Sequence, residues 1–219
     1  MRNADENGGR VRVAAELERA WVLQAQQGDQ QAFARLVEAY QVPVYNLAYR
    51  MLGGAEEAED AAQETFIRAY TRLDSYDPER KFSSWILSIA SHHCVDKLRR
   101  RGGSGRKLLS MEQIQAWQWV PDKLPKPEDE TLQKEQERDI RRLLEQLPDQ
   151  YRLVIVLRYW HDMSYEEIAE ITESTESAIK SRLHRARQMM VAQLNEHESV
   201  KQGVNPTRRM SENAVLRSF

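Results

Sequence analysis

The chain has 219 residues, 41% hydrophobic and 30% charged, the composition of one or two ordinary globular domains. Its 32 basic and 34 acidic residues leave a net charge of −2, so any affinity for nucleic acid must reside in local patches rather than in bulk basicity. One cysteine excludes an internal disulfide framework and fits a reducing compartment; no apolar run reaches membrane-spanning length, and the N-terminal residues lack the apolar core of a signal peptide.

Glycine and proline are sparse and helix formers dominate, which predicts an all-α fold. Residues 1–13 are polar and read as disordered. A first domain is expected over 14–101. Its first helix spans Ala14 to Gln26, with Leu17, Trp21 and either Gln24 or Ala25 at helical spacing. Gly28 breaks it and Asp29 is placed to cap the next helix, QQAFARLVEAYQVPVYNLAYRML, which Pro43 kinks or splits in two. Gly53 and Gly54 end that helix.

A helix over 55–73 follows, with Ala58, Ala61, Ala62, Thr65, Phe66, Ala69, Tyr70 and Leu73 as its inner stripe. Its outer side carries Glu56, Glu57, Glu59, Asp60 and Glu64. Five acids in nine residues exceed what helix-end electrostatics requires. The loop DSYDPERK then leads to FSSWILSIASHHCVDKLRRR, 82–101. Phe82, Trp85, Ile86, Ile89, Ala90, Cys94 and Leu98 form an apolar arc, with His92 at its edge, so Cys94 reads as a core thiol. His92 and His93 point about 100° apart, which speaks against a shared metal. The end of this stretch is cationic: Lys97, Arg99, Arg100, Arg101, Arg106 and Lys107 put six positive charges in eleven residues. A basic helix end near Tyr76, Phe82 and Trp85 suits phosphate contact with base stacking, although core packing accounts equally well for Phe82.

Residues 102–131 are glycine-rich and basic, then proline-rich and acidic, and read as a flexible linker with a docking segment around Trp117 and Trp119. A second domain is expected over 132–194, and 195–219 as a loose tail. It opens with a helix at 132–148. The apolar run 151–163 has strand character, but its length and flanking helices favour a buried helix. Residues 164–190 have the layout of a helix-turn-helix. Ser164 and Glu167 form a capping box, and Ser174 or Thr175 caps the second helix. There Ile179, Leu183, Ala186 and Met190 share one face. Lys180, Ser181, His184, Arg185 and Gln188 share the other, with Arg182 and Arg187 at its flanks. Such a helix can lie in a major groove; a solvated basic helix of a bundle has the same spacing.

Four segments in order resemble the extracytoplasmic-function (ECF) group of bacterial sigma factors in the sigma-70 family: AEDAAQETFIRAY, YDPERKFSSWILSIASHHCVDKLRRR, LPDQYRLVIVLRYWHDMSYEEIAEI and AIKSRLHRARQMM. The resemblance implies a non-enzymatic, cofactor-free and metal-free cytoplasmic protein that binds the β and β′ subunits of core RNA polymerase. It further implies recognition of double-stranded promoter DNA and of the single-stranded non-template strand. By resemblance, Asp60, Gln63, Glu64 and Phe66 contact polymerase. Tyr76, Asp77, Arg80, Lys81, Phe82, Ser83, Trp85, Lys97, Arg99 and Arg100 contact the minus-ten region. Ser177, Lys180, Ser181, Arg182, His184, Arg185 and Arg187 contact the minus-thirty-five element. An anti-sigma factor, often membrane-bound in this group, is also implied. The alternative is a helix-turn-helix regulator acting without polymerase, which leaves the acidic face at 56–64 unexplained.

Two segments depart from the family pattern: His92–His93–Cys94, which replaces more usual side chains such as arginine and asparagine in the middle of its helix, and the turn of the helix-turn-helix. The turn TESTESAI lacks the usual glycines and proline, so helical or capping solutions must close it. Glu170, Glu173 and Glu176 stand near the end that approaches phosphate, which weakens binding unless they face away or read cytosine.

Overall fold

The amphipathic spacing becomes eight α-helices and one 3-10 turn among the residues that the computed structural model describes, 16–102 and 131–202. The N-terminus expected at 1–13, nearly all of the linker with Trp117 and Trp119, and the tail beyond 202 lie outside them. No strand occurs among the described residues.

Helix α1 spans 16–26 and buries Val22 and Ala25, with Trp21 half-buried. The stripe expected through Leu17 and Gln24 is corrected: Leu17 is 49% exposed and Gln24 is exposed. The Gln26 side chain fixes the helix's rotation by donating to the carbonyls of Leu73 (2.9 Å) and Tyr76 (2.8 Å). Gly28, at φ 92°, closes α1 in a Schellman turn: its N–H meets the Ala25 carbonyl and the Asp29 N–H meets that of Gln24. Asp29 then caps α2 (Gln30–Leu52) through the N–H groups of Gln31 and Ala32.

Pro43 does not split α2, which runs as one helix with Val44, Leu47, Ala48 and Met51 buried beyond the proline. Burial of that face offsets the lost hydrogen bond. Helix α3 (Ala55–Arg72) lays Ala58, Ala61, Thr65 and Ala69 against it, side chains small enough for close approach. The 3-10 turn Leu73–Ser75 leads towards α4 (Phe82–Gly102), which packs on both α2 and α3.

Helix α5 (Thr131–Glu145) stops short of the expected Pro148, and α6 (Asp149–Trp160) starts directly after it. The apolar run is therefore a helix, with Val154, Ile155, Val156 and Leu157 all fully buried. Helices α7 (Tyr165–Ile171) and α8 (Glu176–Gln202) complete the expected pair, α8 running beyond its expected end at 194. The two helical groups meet: α2 packs on α5 and α6, and α4 on α6 and α7. Arg152, only 6% exposed, is central to this contact. Its guanidinium donates to the carbonyls of Leu144, Glu145 and Leu147 within its own group and to that of Met51 in α2.

Candidate nucleic-acid interfaces

The helix-turn-helix is built as its capping residues dictate. The Ser164 hydroxyl accepts from the Glu167 N–H at 3.1 Å, and the Glu167 carboxylate accepts from the Ser164 N–H at 2.8 Å. The glycine-free turn is a second Schellman motif, with the Glu173 N–H on the Glu170 carbonyl (3.3 Å) and the Ser174 N–H on that of Ala169 (2.9 Å). Glu173 occupies the left-handed position at φ 49°. Of the two capping candidates, Thr175 caps α8 by accepting from the Ala178 N–H, while the Ser174 hydroxyl donates to the Thr172 carbonyl.

Ile179, Leu183, Ala186 and Met190 face the core. That leaves Ser177, Lys180, Ser181, His184 and Arg185 exposed, with Arg182 and Arg187 half-buried beside them. Lys180 pairs with Glu176 at 3.3 Å and lies over the Tyr165 ring, so Glu176 neutralises part of the face it borders.

On the other group, α3 presents Glu56, Glu59, Asp60 and Gln63 to solvent, while Phe66 and Glu64 are half-buried. Glu64 pairs with Arg68 at 2.6 Å. The acidic face and the basic end of α4 are joined: Lys97 pairs with Asp60 at 3.8 Å, and Arg101 pairs with Glu57 while donating to the Leu52 carbonyl. Arg99 is oriented by Asp96 at 2.9 Å and Arg100 is exposed.

At the start of α4 the structure corrects the aromatic assignment. Phe82 is 1% exposed and Tyr76 5%, because each packs edge-on against the other and Phe82 also meets Tyr40. The Tyr76 hydroxyl donates to the Arg80 carbonyl, and burial pushes its pKa up to about 12. Trp85 packs on both rings but remains half-buried, lining a cleft with Arg80, Lys81, Ser84 and Ser88. Asp77, Arg80 and Lys81 are exposed in the approaching loop, and Ser83 is half-buried. The opposite wall of the cleft is α7, with Glu166, Glu167 and Glu170. Lys81 pairs with Glu167 at 2.7 Å. Burial raises the Glu167 carboxyl, but hydrogen bonds from Lys81 and the Ser164 cap outweigh it and hold the group below its ordinary value.

The histidine pair and the cysteine take separate environments. Cys94 is fully buried, and burial lifts its thiol to about 12. Contrary to the expectation that His92 borders the apolar arc, His92 is exposed and His93 is half-buried, its pKa lowered by burial and then by Arg68. The sequence reading missed Arg152 and Arg50, the latter stacked on Trp160 at 4.7 Å. An arginine inside the apolar run RLVIVL was the available signal for Arg152; nothing local marks Arg50.

A helix-turn-helix with an exposed cationic face, beside a helix with an aromatic start and a basic end, defines a two-surface DNA-binding transcription factor. The sigma-70 region 2 model matches residues 36–103 and the sigma-70 region 4 model matches 137–190. The ECF RNA polymerase sigma factor SigW of Bacillus subtilis is 38% identical over 178 residues, covering 80% of this chain and 95% of SigW. The RNA polymerase sigma-H factor of Pseudomonas aeruginosa is 32% identical, covering 80% of this chain and 93% of its own. Among solved structures, CnrH in complex with the cytosolic domain of CnrY matches with a TM-score of 0.63 at 25% identity, over 82% of this chain and 98% of that one. The sigma factor RpoE of Bartonella quintana, in complex with the anti-sigma factor NepR, matches in fold with a TM-score of 0.56 at 23% identity, over 74% of this chain and 96% of that one. The chain belongs to the ECF sigma factors of the sigma-70 family. It directs RNA polymerase to promoters and is a transcription-initiation factor, not an enzyme.

Proposed function

We propose that the chain divides this work among three surfaces. The outer face of α3, with Asp60, Gln63, Glu64 and the flank of Phe66, docks on the β and β′ subunits of core polymerase. The start of α4 captures non-template bases on Trp85, steered by Arg80 and Lys81 and shaped by Asp77 and Ser83. Tyr76 and Phe82 support the Trp85 ring from below. Arg99 and Arg100 hold promoter backbone, and Lys97 ties this end of α4 to the docking face.

The exposed face of α8 reads the minus-thirty-five element. Ser177, Lys180 and Ser181 stand nearest the helix start, where base edges are reached, and Arg182, His184, Arg185 and Arg187 meet phosphates. The observation that carries this reading is the segregation of α8, whose buried apolar row leaves Lys180, Ser181, His184 and Arg185 outward together. The domain boundaries that go with it are 14–101 for the polymerase and minus-ten domain, 102–131 for the linker and 132–194 for the upstream-element domain.

An anti-sigma factor is the proposed regulator; the sigma factor RpoE of Bartonella quintana, which shares the fold, was solved in complex with the anti-sigma factor NepR. The proposed site of action is the cytoplasm, where such a partner can hold the chain at the membrane. No helix among the described residues is long and apolar enough to cross a membrane. Reconstitution with core polymerase and a promoter library tests the assignment: specific transcript starts are expected, and a chain that forms no holoenzyme defeats it.

A further inference from the structure

The loop at 73–81 sets where Arg80, Lys81 and the Trp85 ring stand, and its own hydrogen bonds are internal. The Tyr76 N–H meets the Leu73 carbonyl at 3.0 Å, and the Arg80 N–H meets that of Asp77 at 3.0 Å. The Asp77 carboxylate accepts from the Glu79 N–H at 3.0 Å, and the Tyr76 hydroxyl donates to the Arg80 carbonyl. These bonds shape the loop but tie it to no other element.

The ties to another element come from α1. The Gln26 amide donates to the Leu73 carbonyl at 2.9 Å and to the Tyr76 carbonyl at 2.8 Å, across 47 and 50 positions of sequence. One NH2 group thus holds both ends of the turn that delivers Tyr76. Two turns earlier on the same side of α1, Arg19 pairs with Glu79, and Glu18 accepts from the Tyr40 hydroxyl, whose ring meets Phe82 at 5.2 Å. The Arg19–Glu79 pair is exposed on both sides and screened by water, so it adds little. Gln26 is half-buried, and the carbonyls it satisfies have less access to water, so its two bonds carry more. Tyr76 passes the anchoring on: its ring lies 5.6 Å from Phe82 and 4.7 Å from Trp85. All of these contacts lie within the first helical group. The match to the region 2 family model begins at residue 36, after α1 has ended.

We propose that Gln26 is a positioning residue for strand capture, holding the 73–81 loop on α1 so that Trp85, Arg80 and Lys81 stand ready before DNA opens, and that it thereby sharpens the choice of base at the captured position. This rests on the assignment of Trp85, Arg80 and Lys81 to strand capture. A loop held in one place offers the ring and the cations at one spacing, and a base is accepted or refused by its fit. A loop released from α1 samples other placements, so the competent fraction falls and wrong bases are accommodated. The role needs a donor. A carboxylate at 26 would face two carbonyl oxygens with nothing to give them.

The test uses the full chain in holoenzyme with core polymerase, on a promoter selected from the library. Gln26→Glu removes the donor at nearly constant shape, and Gln26→Lys restores one. Gln27→Glu, at an exposed neighbour, controls for the added charge. Initial promoter binding and the rate of opening are measured separately, the latter by 2-aminopurine fluorescence in the minus-ten region. Short non-template oligonucleotides varied at one base give the selectivity. For Gln26→Glu, core affinity and initial promoter binding are expected within about twofold of the parent, with opening slowed about five- to tenfold and selectivity reduced by a similar factor. Amide exchange over 76–81 in the free chain is expected to quicken while α2 and α3 keep their protection. Gln26→Lys is expected to recover most of the opening rate, and Gln27→Glu to match the parent.

Parent-like opening and selectivity in Gln26→Glu overturn the proposal. So does an equal fall in core affinity, initial binding and opening, which is what a merely structural role would produce. Trp85→Ala in the same holoenzyme separates this inference from the assignment beneath it. Slowed opening with weaker oligonucleotide binding is expected. If Trp85→Ala changes neither, the strand-capture assignment fails; if it slows opening and Gln26→Glu does not, only the positioning role fails.

Discussion

Glu173 shows how one side chain carries a strain that the rest of the turn tolerates. The same Schellman closure is built twice, once at Gly28 and once at Glu173, and only the first has the residue that enters the left-handed region without cost. An L-residue with a Cβ is disfavoured there by about 1–2 kcal/mol. Glu173→Gly is therefore expected to raise stability by about 1 kcal/mol, read from the thermal unfolding midpoint. The greater freedom of glycine in the unfolded chain offsets part of the gain. No change, or a loss, would show that the turn is not strained. The substitution also removes an acid near the DNA-facing end of the motif, so promoter affinity is expected to rise slightly with it.

Helix α6 and the turn after it set a limit on acid stability. His161 follows Trp160 at the helix end, its Nε2 buried without a hydrogen-bond partner, and burial, then the nearby Arg50, pushes its pKa down to about 4. The unfolded imidazole titrates near 6.5. Between these values the unfolded chain binds the proton and the folded chain does not, so stability is full above the unfolded pKa and falls as pH drops towards 4. The loss reaches about 3 kcal/mol at the lower end. Denaturant unfolding of His161→Gln measured across this window is expected to show a flatter pH dependence than the parent chain, and parallel curves would refute it. Helix α8 carries a different consequence. Arg185 is exposed and off the apolar row, so Arg185→Ala is expected to weaken upstream-element binding of the holoenzyme by about 1 kcal/mol without altering the melting temperature. A footprint identical to the parent's would remove Arg185 from the reading face.

Across the molecule, opposite charges are sorted onto different surfaces, which is why a net charge of −2 says so little. Acids gather on α3 and at the start of α7, cations at the end of α4 and on the outer face of α8. Asp60→Arg reverses one charge on the proposed docking face and places it beside Lys97, now a like charge. Core-polymerase affinity is expected to fall by about tenfold, while upstream-element affinity of the free chain stays unchanged. Equal core affinity for variant and parent would move the docking surface elsewhere. The closed contact between the helical groups links these surfaces, since α4 meets both the acidic helix α3 and the helix-turn-helix.

The sequence by itself determined the all-helical fold, the capping box at Ser164, the inner and outer faces of α8 and the burial of Cys94. These are local properties: periodicity and cap chemistry act over a few residues, so they are written in consecutive positions. The family was legible for the same reason, because its motifs are contiguous segments in a fixed order. Only the tertiary structure decided that Phe82 and Tyr76 support Trp85 instead of standing beside it, and that Leu17 faces water. It alone decided that His93, not His92, is half-buried. The burial of an amphipathic side chain depends on what packs opposite it, and helical spacing cannot specify a neighbour from another helix. The pairing of Lys81 with Glu167 and the reach of Arg152 to Met51 are the extreme cases. They join groups 86 and 101 positions apart, and a contact of that kind exists only once two separately formed helical units have docked.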